Sequence, residues 1–374
     1  MRQGLGAPCS TWFPLPGQVA VSPELLFLGH GAERSGPPIF LANLQRWLAR
    51  RTDVDLATVL ARGGALVEDY RACGAVRVLD TPAAPARVTA RLPGLQRVVD
   101  RVGLHGWDRP TAVYVNTVAP ATLRLLERVD RSATVIVHVH EMEAALRYGV
   151  DPGGTRQLFR RADHVVAASR AVADNLVTNH DVDSARIHVH HEFVEPVEPV
   201  HGERRRDERR RLGVPEDAFV VGGSGMLEWR KAPELFVRLA ADLRGRTDRG
   251  LAFVWVGGTD RGPLWAPLDH DARHLGVEDV VRFVGAQDRP GDWFRVLDVF
   301  ALTSREDAFP LAALEAASAG VPVVTFDTGG MVELVGDGSC GAVVPYPDTA
   351  AFADVLAALA GDAAARRSLG AAAA

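Results

Sequence analysis

The chain has 374 residues, 47% of them hydrophobic, with a formal net charge of −5 and a pI near 6.2. That length suits two domains of ordinary size, and the acidic balance leaves no basic footprint of the kind a nucleic-acid binder carries. Three cysteines (Cys9, Cys73 and Cys340) stand far apart without CxxC spacing, which argues against a disulfide framework or a cysteine zinc site and suits a reducing cytoplasm.

Residues 1–22, rich in Gly and Pro, read as an extension ahead of the first strand. They lack the basic head and apolar run of a secretory signal, and no stretch of the chain approaches the ~18 apolar residues of a membrane span. Short apolar runs then alternate with amphipathic stretches, the pattern of a parallel sheet with crossover helices. Strands are predicted at 25–28, 54–60, 76–79, 112–115, 135–139, 164–167 and 187–190, with a helix over about 38–50. These runs are Val- and Ile-rich rather than alternating, so both sheet faces are expected to be covered. Residues 195–217 carry three prolines and the run ERRRDERRR, which reads as a solvated helix face. We place the domain boundary there, with domains at 23–197 and 218–374 joined by a linker at 198–217. Strands restart at 219–222, 253–256, 281–284, 299–302 and 321–326. The expected architecture is α/β, two doubly wound Rossmann-like domains facing a central cleft. Ligands in such sheets sit beyond the carboxyl ends of the strands.

The most informative segment is 297–327, LDVFALTSREDAFPLAALEAASAGVPVVTFD. A strand ends near Ser304, a polar loop follows, Pro310 stands at a first helical position, and Gly320 stops the helix. Loop amides at that helix N-terminus would point at an anion. Glu315 lies among small apolar residues, where an unpaired carboxylate is costly, and a hydroxyl-rich partner such as a ribose would satisfy it. In isolation, Asp307 could equally cap the helix and Glu315 form a surface ion pair. A second segment, 219–236 (FVVGGSGMLEWRKAPELF), reads as a strand, a Gly-rich turn and a helix from near Pro233. Glu228 stands where a dinucleotide fingerprint would need its third glycine.

In this context the chain resembles glycosyltransferase family 4, a retaining group with the GT-B fold, whose members carry a carboxylate, seven residues, then glutamate. The resemblance implies that Asp307 contacts the donor sugar hydroxyls, that Glu315 binds the ribose, and that the backbone at Phe309, Pro310 and Leu311 faces the sugar and diphosphate. The first carboxylate is usually Glu in the family; here it is Asp307, with Glu306 beside it. The turn at Gly225 is similar to the family's second phosphate site. Lys231 matches the family lysine, and Met226 stands where an arginine is usual, leaving Arg230 as the second cation. Such cations stabilise the charge that builds as a nucleoside diphosphate departs. Gly329, Gly330 and Glu333 match an element lining the donor pocket, and Ala286 falls in the base-reading loop. In the first half, Gly36 occupies the phosphate-approaching loop, Ser35 replaces the other usual glycine, and His140 matches the histidine expected to touch the transferred sugar.

His138 and His140 form an HxH pair, but zinc needs three or four ligands. The Asp-x-Asp pairs at 53–55 and 181–183 precede apolar strands and read as turns. The implied reaction is retaining transfer of a sugar from a nucleotide-diphosphate donor to an acceptor hydroxyl, with no metal or cofactor beyond the co-substrate and no protein nucleophile. A nucleotide-sugar epimerase or hydrolase on the same scaffold stays open, as does an inert nucleotide-binding subunit. Neither the donor sugar nor the acceptor (glycan, lipid-linked glycan or natural product) is legible, and peripheral contact with the inner face of a membrane is compatible. The sequence stops soon after Gly370, so either the family's C-terminal helix, which crosses back to the first domain, is short or absent, or the sequence is incomplete.

Overall fold

The computed structural model of the protein describes residues 22–79, 93–258 and 265–374; most of the N-terminal extension, 1–21, lies outside them. The first sheet has seven strands, β1 (Leu25–Gly29), β2 (Leu56–Leu60), β3 (Ala75–Val78), β4 (Ala112–Asn116), β5 (Thr134–Val139), β6 (His164–Ala167) and β7 (Ile187–Val189), in the order β3-β2-β1-β4-β5-β6-β7. The second has six, β8 (Phe219–Ser224), β9 (Leu251–Val256), β10 (Val281–Phe283), β11 (Val299–Leu302), β12 (Val323–Phe326) and β13 (Gly341–Val344), in the order β10-β9-β8-β11-β12-β13. Every strand pairing recorded is parallel. The central strands are buried along nearly their whole length, as unbroken apolar runs covered by helices on both faces must be. This is the expected pair of doubly wound Rossmann-like units.

Strand order reverses between β1 and β4 in the first sheet and between β8 and β11 in the second. At such a switch point the flanking connections leave in opposite directions and open a crevice at the carboxyl ends. β4 ends at Asn116 with Thr117 just beyond it, in line with the loop from β1 that leads to Gly36; beyond β8 and β11 lie Gly225 and Ser304. Both openings therefore coincide with segments that carry candidate residues.

Several elements differ from the sequence-based expectation, each for a local reason. Strand β8 runs past Gly222 to Ser224, so Gly223 belongs to it rather than to a turn. A Cβ on Gly222 would meet the Leu297 side chain, and one on Gly223 would meet Trp255 and Phe236, so these glycines make room for core residues. Strand β12 begins at Val323, not 321; Pro322 lacks an N–H and contributes only its carbonyl, accepting from the Phe300 amide. Pro310 is the N-cap of the helix Leu311–Ser318 rather than its first residue. Strand β13, which extends the sheet beside β12, was not anticipated. The helix Ala363–Ala373 packs against the second sheet's own helix Leu311–Ser318, with Gly370 against the Gly320 backbone.

The arginine-rich run also needs correction. Residues Gly202–Arg211 do form a helix, but Arg209 is buried, not solvated. Its Nε donates to the Val296 carbonyl at 3.1 Å, and its two Nη groups reach the carbonyls of Glu216, Ala218 and Val296 and the Asp298 carboxylate at 2.8–3.0 Å. All five N–H donors of a guanidinium are thus employed. Asp298 also accepts from Arg205 at 3.1 Å and from the Val220 amide at 2.8 Å. Burial alone would raise its pKa, but Arg205, Arg209 and that amide hold it below the ordinary carboxylate value. Stability from this cluster is therefore present above the ordinary value and lost as pH falls through the lowered one. Asp298→Ala, which strands a buried guanidinium, is expected to cost about 3–5 kcal/mol in urea unfolding at neutral pH; a loss below about 1 kcal/mol would contradict the buried-pair reading.

Candidate active site at the switch points

In the second half, the turn after β8 and the loop after β11 are tied together before any ligand arrives. The Arg305 amide donates to the Arg230 carbonyl at 2.8 Å, and the Thr303 hydroxyl donates to the carbonyls of Lys231 and Ala232 at 3.1 and 3.2 Å. Gly225 (φ +147°) needs the conformational range of glycine, and a Cβ there would press on the Lys231 side chain. Across this joint Asp307 accepts from Arg230 at 3.0 Å, from Lys231, and from the Ser304 hydroxyl at 2.9 Å. Arg230 also pairs with Glu228 at 2.9 Å.

The electrostatics of the trio are set by burial and pairing. Burial would raise the Asp307 pKa, yet Lys231 and Arg230 hold it below the ordinary range. Burial pulls Lys231 down, with Asp307 opposing it. Both Asp307 oxygens are thus spent on protein groups, so in this state it orients the cations.

Glu315 behaves differently. It sits in Leu311–Ser318 among Ala312, Ala313, Leu314, Ala316 and Ala317, and no side chain or amide among the described residues pairs with its carboxylate. Burial, unopposed, pushes its pKa up to about 7. Phe309 and Leu311 are buried at the start of this helix, while Ala286 is exposed in the loop after β10.

Gly329 and Gly330 approach the protein itself. A Cβ on Gly329 (φ +66°) would strike the Asp307 backbone, and one on Gly330 would strike the Ala308 carbonyl and the Ser169 side chain of the first half; the Gly330 amide donates to the Asp307 carbonyl at 2.9 Å. Glu333 likewise reaches the first half, accepting from the Ala171 amide at 3.0 Å and pairing with His191 at 2.7 Å. The His191 ring stacks on Phe309 with centroids 4.6 Å apart. Glu306 accepts from the Ala144 amide at 3.0 Å. Two carboxylates of the second half thus cap the first turns of helices Glu143–Gly149 and Arg170–His180, where unpaired amides favour negative charge.

In the first half, Gly36 opens the helix Gly36–Arg51 with open space where a Cβ would stand. Pro37 and Pro38 follow, so of the first three residues only Gly36 can offer an N–H to an anion. His140 follows β5 with its side chain only 2% exposed. Its Nε2 faces the Asn116 Oδ1 at 2.9 Å, and its Nδ1 faces the Glu192 carboxylate. Glu141 accepts from the Thr117 hydroxyl, from the Val118 amide at 3.3 Å and from the His140 amide at 2.9 Å. Burial outweighs these contacts and brings its pKa up to about 7. Thr117 holds φ +75°, a costly conformation for a β-branched residue and of the kind found where a site over-determines its backbone.

His138 and His140 do share a strand face, with ring centroids 4.0 Å apart. Among the described residues no group of three or more His, Cys, Asp or Glu is placed to hold a metal ion. Asp181 is the C-cap of the helix Arg170–His180, and Asp183 caps the short turn Ser184–Arg186 by accepting from the Ala185 amide. No described helix is long and apolar enough to cross a membrane.

Asn116, Thr117, Glu141 and Glu192 were not anticipated. Asn116 and Glu141 adjoin predicted strands, but only the β4–β5 register, which sets Asn116 opposite His138, brings them into one cluster.

Two family models divide the chain between them. Glycosyltransferase Family 4 matches residues 34–198, and Glycosyl transferases group 1 matches residues 204–374. The chain belongs to this glycosyltransferase family. Within the family it is similar to the D-inositol 3-phosphate glycosyltransferase of Kribbella flavida, 37% identical over 281 residues, covering 73% of this chain and 63% of that protein. The Streptomyces avermitilis protein of the same name is 36% identical over 266 residues, covering 66% and 57%. The chain thus spans about six-tenths of the length of these curated relatives. Among solved structures, HepE of Anabaena in complex with UDP and glucose superposes with a TM-score of 0.77 at 19% identity, covering 94% of this chain and 93% of that one. Sucrose-phosphate synthase from Thermosynechococcus elongatus gives 0.74 at 19% identity, again over 94% and 93%. Both neighbours establish the GT-B fold of this glycosyltransferase-family chain.

Gly330 is expected to be intolerant of substitution: Gly330→Ala must displace the Ala308 carbonyl or Ser169, at about 1–3 kcal/mol. A thermal melt indistinguishable from the parent would show that these two halves do not pack as described.

Proposed function

We propose that this chain transfers a sugar from a nucleotide-diphosphate donor to an acceptor hydroxyl with retention of anomeric configuration and without a metal ion. The observation that carries the reading is Glu315, a largely buried carboxylate with no partner among the described residues. Leaving a charged group unpaired is tolerated where a ligand completes it, and a ribose diol supplies two hydroxyl donors. Arg230 and Lys231 stand ready for the diphosphate, with Asp307 holding them until the donor arrives and then meeting the sugar hydroxyls. The helix start adds its dipole and the amides of Phe309 and Leu311, Pro310 having no N–H to give, and the Gly36 amide adds one donor from the other side. Ala286 would read the base through its main chain.

In the proposed step the acceptor oxygen bonds to the anomeric carbon on the face from which the diphosphate leaves. The acceptor proton passes to the departing phosphate oxygen as the carbon–oxygen bond breaks, and Arg230 and Lys231 stabilise the growing negative charge. No protein nucleophile is required. The names of the curated relatives make an inositol phosphate the first acceptor to try, and UDP-sugars are the first donors to try, since HepE binds UDP and glucose. Proton NMR of the product should show the donor's anomeric configuration; an inverted linkage overturns the reading.

Glu315→Gln separates stability from function. The raised pKa, about 7 against an ordinary 4.5, means that the contribution of Glu315 to stability is complete below the ordinary value and lost as pH rises to about 7. At pH 8 the variant without ligand should therefore be more stable than the parent by about 1–3 kcal/mol, while the thermal shift given by UDP or a UDP-sugar shrinks. A variant that keeps the full nucleotide shift would remove Glu315 from the donor site.

A further inference from the structure

Glu192 lies outside every segment assigned to the donor, yet it makes the closest contact to the His140 ring. Both partners are buried, with side chains 5% and 2% exposed. The other side of the ring is defined by Asn116. Its Nδ2 donates to the Pro37 carbonyl at 3.1 Å, and a carbonyl can only accept, so the amide orientation is settled and Oδ1 is what His140 meets at 2.9 Å. The imidazole is therefore flanked by two acceptors, a carboxylate at Nδ1 and an amide oxygen at Nε2, and satisfying both requires a proton on each nitrogen.

The neighbouring histidine takes the opposite form. Tyr114 keeps its phenolic proton, because burial raises its pKa, and its hydroxyl donates to the His138 Nδ1 at 2.5 Å. Burial holds His138 well below the ordinary imidazole value, and the charges of His140 and His190 add to that. The two rings pack 4.0 Å apart and are framed by Phe40. The other titratable groups around His140 are Glu141, whose carboxylate accepts from the His140 amide, and His30. Residue 140 as a whole is more open than its 2% exposed ring, so what it shows to the cleft is its main chain.

We propose that Glu192 is a positioning residue that, with Asn116, clamps His140 as a buried imidazolium and so fixes the backbone at 140–141 and the positive charge behind it at the carboxyl edge of β4 and β5. The clamp joins β4, β5, the start of helix Gly36–Arg51 and the segment after β7 in one hydrogen-bonded cluster. His140 then acts through its field and its main chain rather than by exchanging protons with substrate, since neither ring nitrogen is free. The catalytic consequence rests on the transferase reading above; the protonation state does not.

Long-range ¹H–¹⁵N correlation spectra of ¹⁵N-histidine-labelled protein at pH 7.5, with His140 assigned by its loss in His140→Asn, give the deciding measurement. The parent should show both His140 nitrogens protonated, with nearly equal shifts. Glu192→Gln should split them into one protonated and one bare nitrogen, and Glu192→Asp, which keeps the charge, should restore the parent pattern. A bare nitrogen on His140 in the parent, or an unchanged pattern in Glu192→Gln, overturns the proposal. With a competent donor and acceptor, Glu192→Gln should lower kcat about 10²-fold while the donor KM holds, as for a misplaced group remote from the bond being broken; Glu192→Asp should recover much of it, and an unaltered kcat overturns the positioning role. If the parent shows the two-proton ring but turns over no nucleotide sugar, the clamp stands and the transferase reading falls.

Discussion

The second half of the molecule is organised around one carboxylate with two cations. Asp307 holds Arg230 and Lys231, and through them it joins the turn leaving β8 to the loop leaving β11, the two connections that diverge at the switch point. Without Asp307, two positive side chains would stand together in a largely buried crevice, where their repulsion is poorly screened. Without the cations, a 6% exposed carboxylate would have only Ser304 to offset the cost of leaving water. Each member makes the others tolerable, so the crevice can be held in shape by charges whose proposed use is to meet a diphosphate.

That trio is mechanically coupled to the other half. Glu306, next to Asp307, caps the helix Glu143–Gly149, and the Gly330 amide binds the Asp307 carbonyl while Glu333, one helical turn on, caps Arg170–His180. Loop 304–309 is therefore both a wall of the crevice and part of the joint between the halves. A change in the occupancy of Arg230 and Lys231 would pull on the same backbone that sets the joint, which gives a short physical route from donor binding to the relative seating of the halves.

Much of this was legible in the sequence, and the boundary of what was legible has a physical cause. The alternation of apolar runs and the Pro–Gly punctuation identify twelve of the thirteen strands, because burial on both faces leaves a composition signal within a few residues. Glu315 stood out as a carboxylate among small apolar residues, but a surface ion pair stayed open until the fold left it without a partner among the described residues. The spacing of Asp307 and Glu315 and the lysine after Arg230 carried the family resemblance. What could not be read depends on contacts between distant segments. Arg209 looks like its exposed neighbours until Asp298 arrives from 89 residues away. Gly223 looks like part of a phosphate loop until Trp255 and Phe236 fill the place of its missing side chain. The Gly329–Gly330 pair looks suited to a ligand, although its close neighbours are Asp307, Ala308 and Ser169. Glu192 acquires meaning only when the chain after β7 folds back beside β5.

The solitary carboxylate of Glu315 has one more consequence. With its pKa near 7, the crevice at neutral pH is a mixture of proton-loaded and proton-free molecules, and on the proposed reading a ribose diol that donates hydrogen bonds selects the proton-free one. Filling the site then expels a fraction of a proton into the buffer, and emptying it takes that fraction back. Calorimetric heats of nucleotide association would carry the ionisation heat of whichever buffer is chosen. Acidification of the surroundings would act as a competitor for the nucleotide without ever occupying its place.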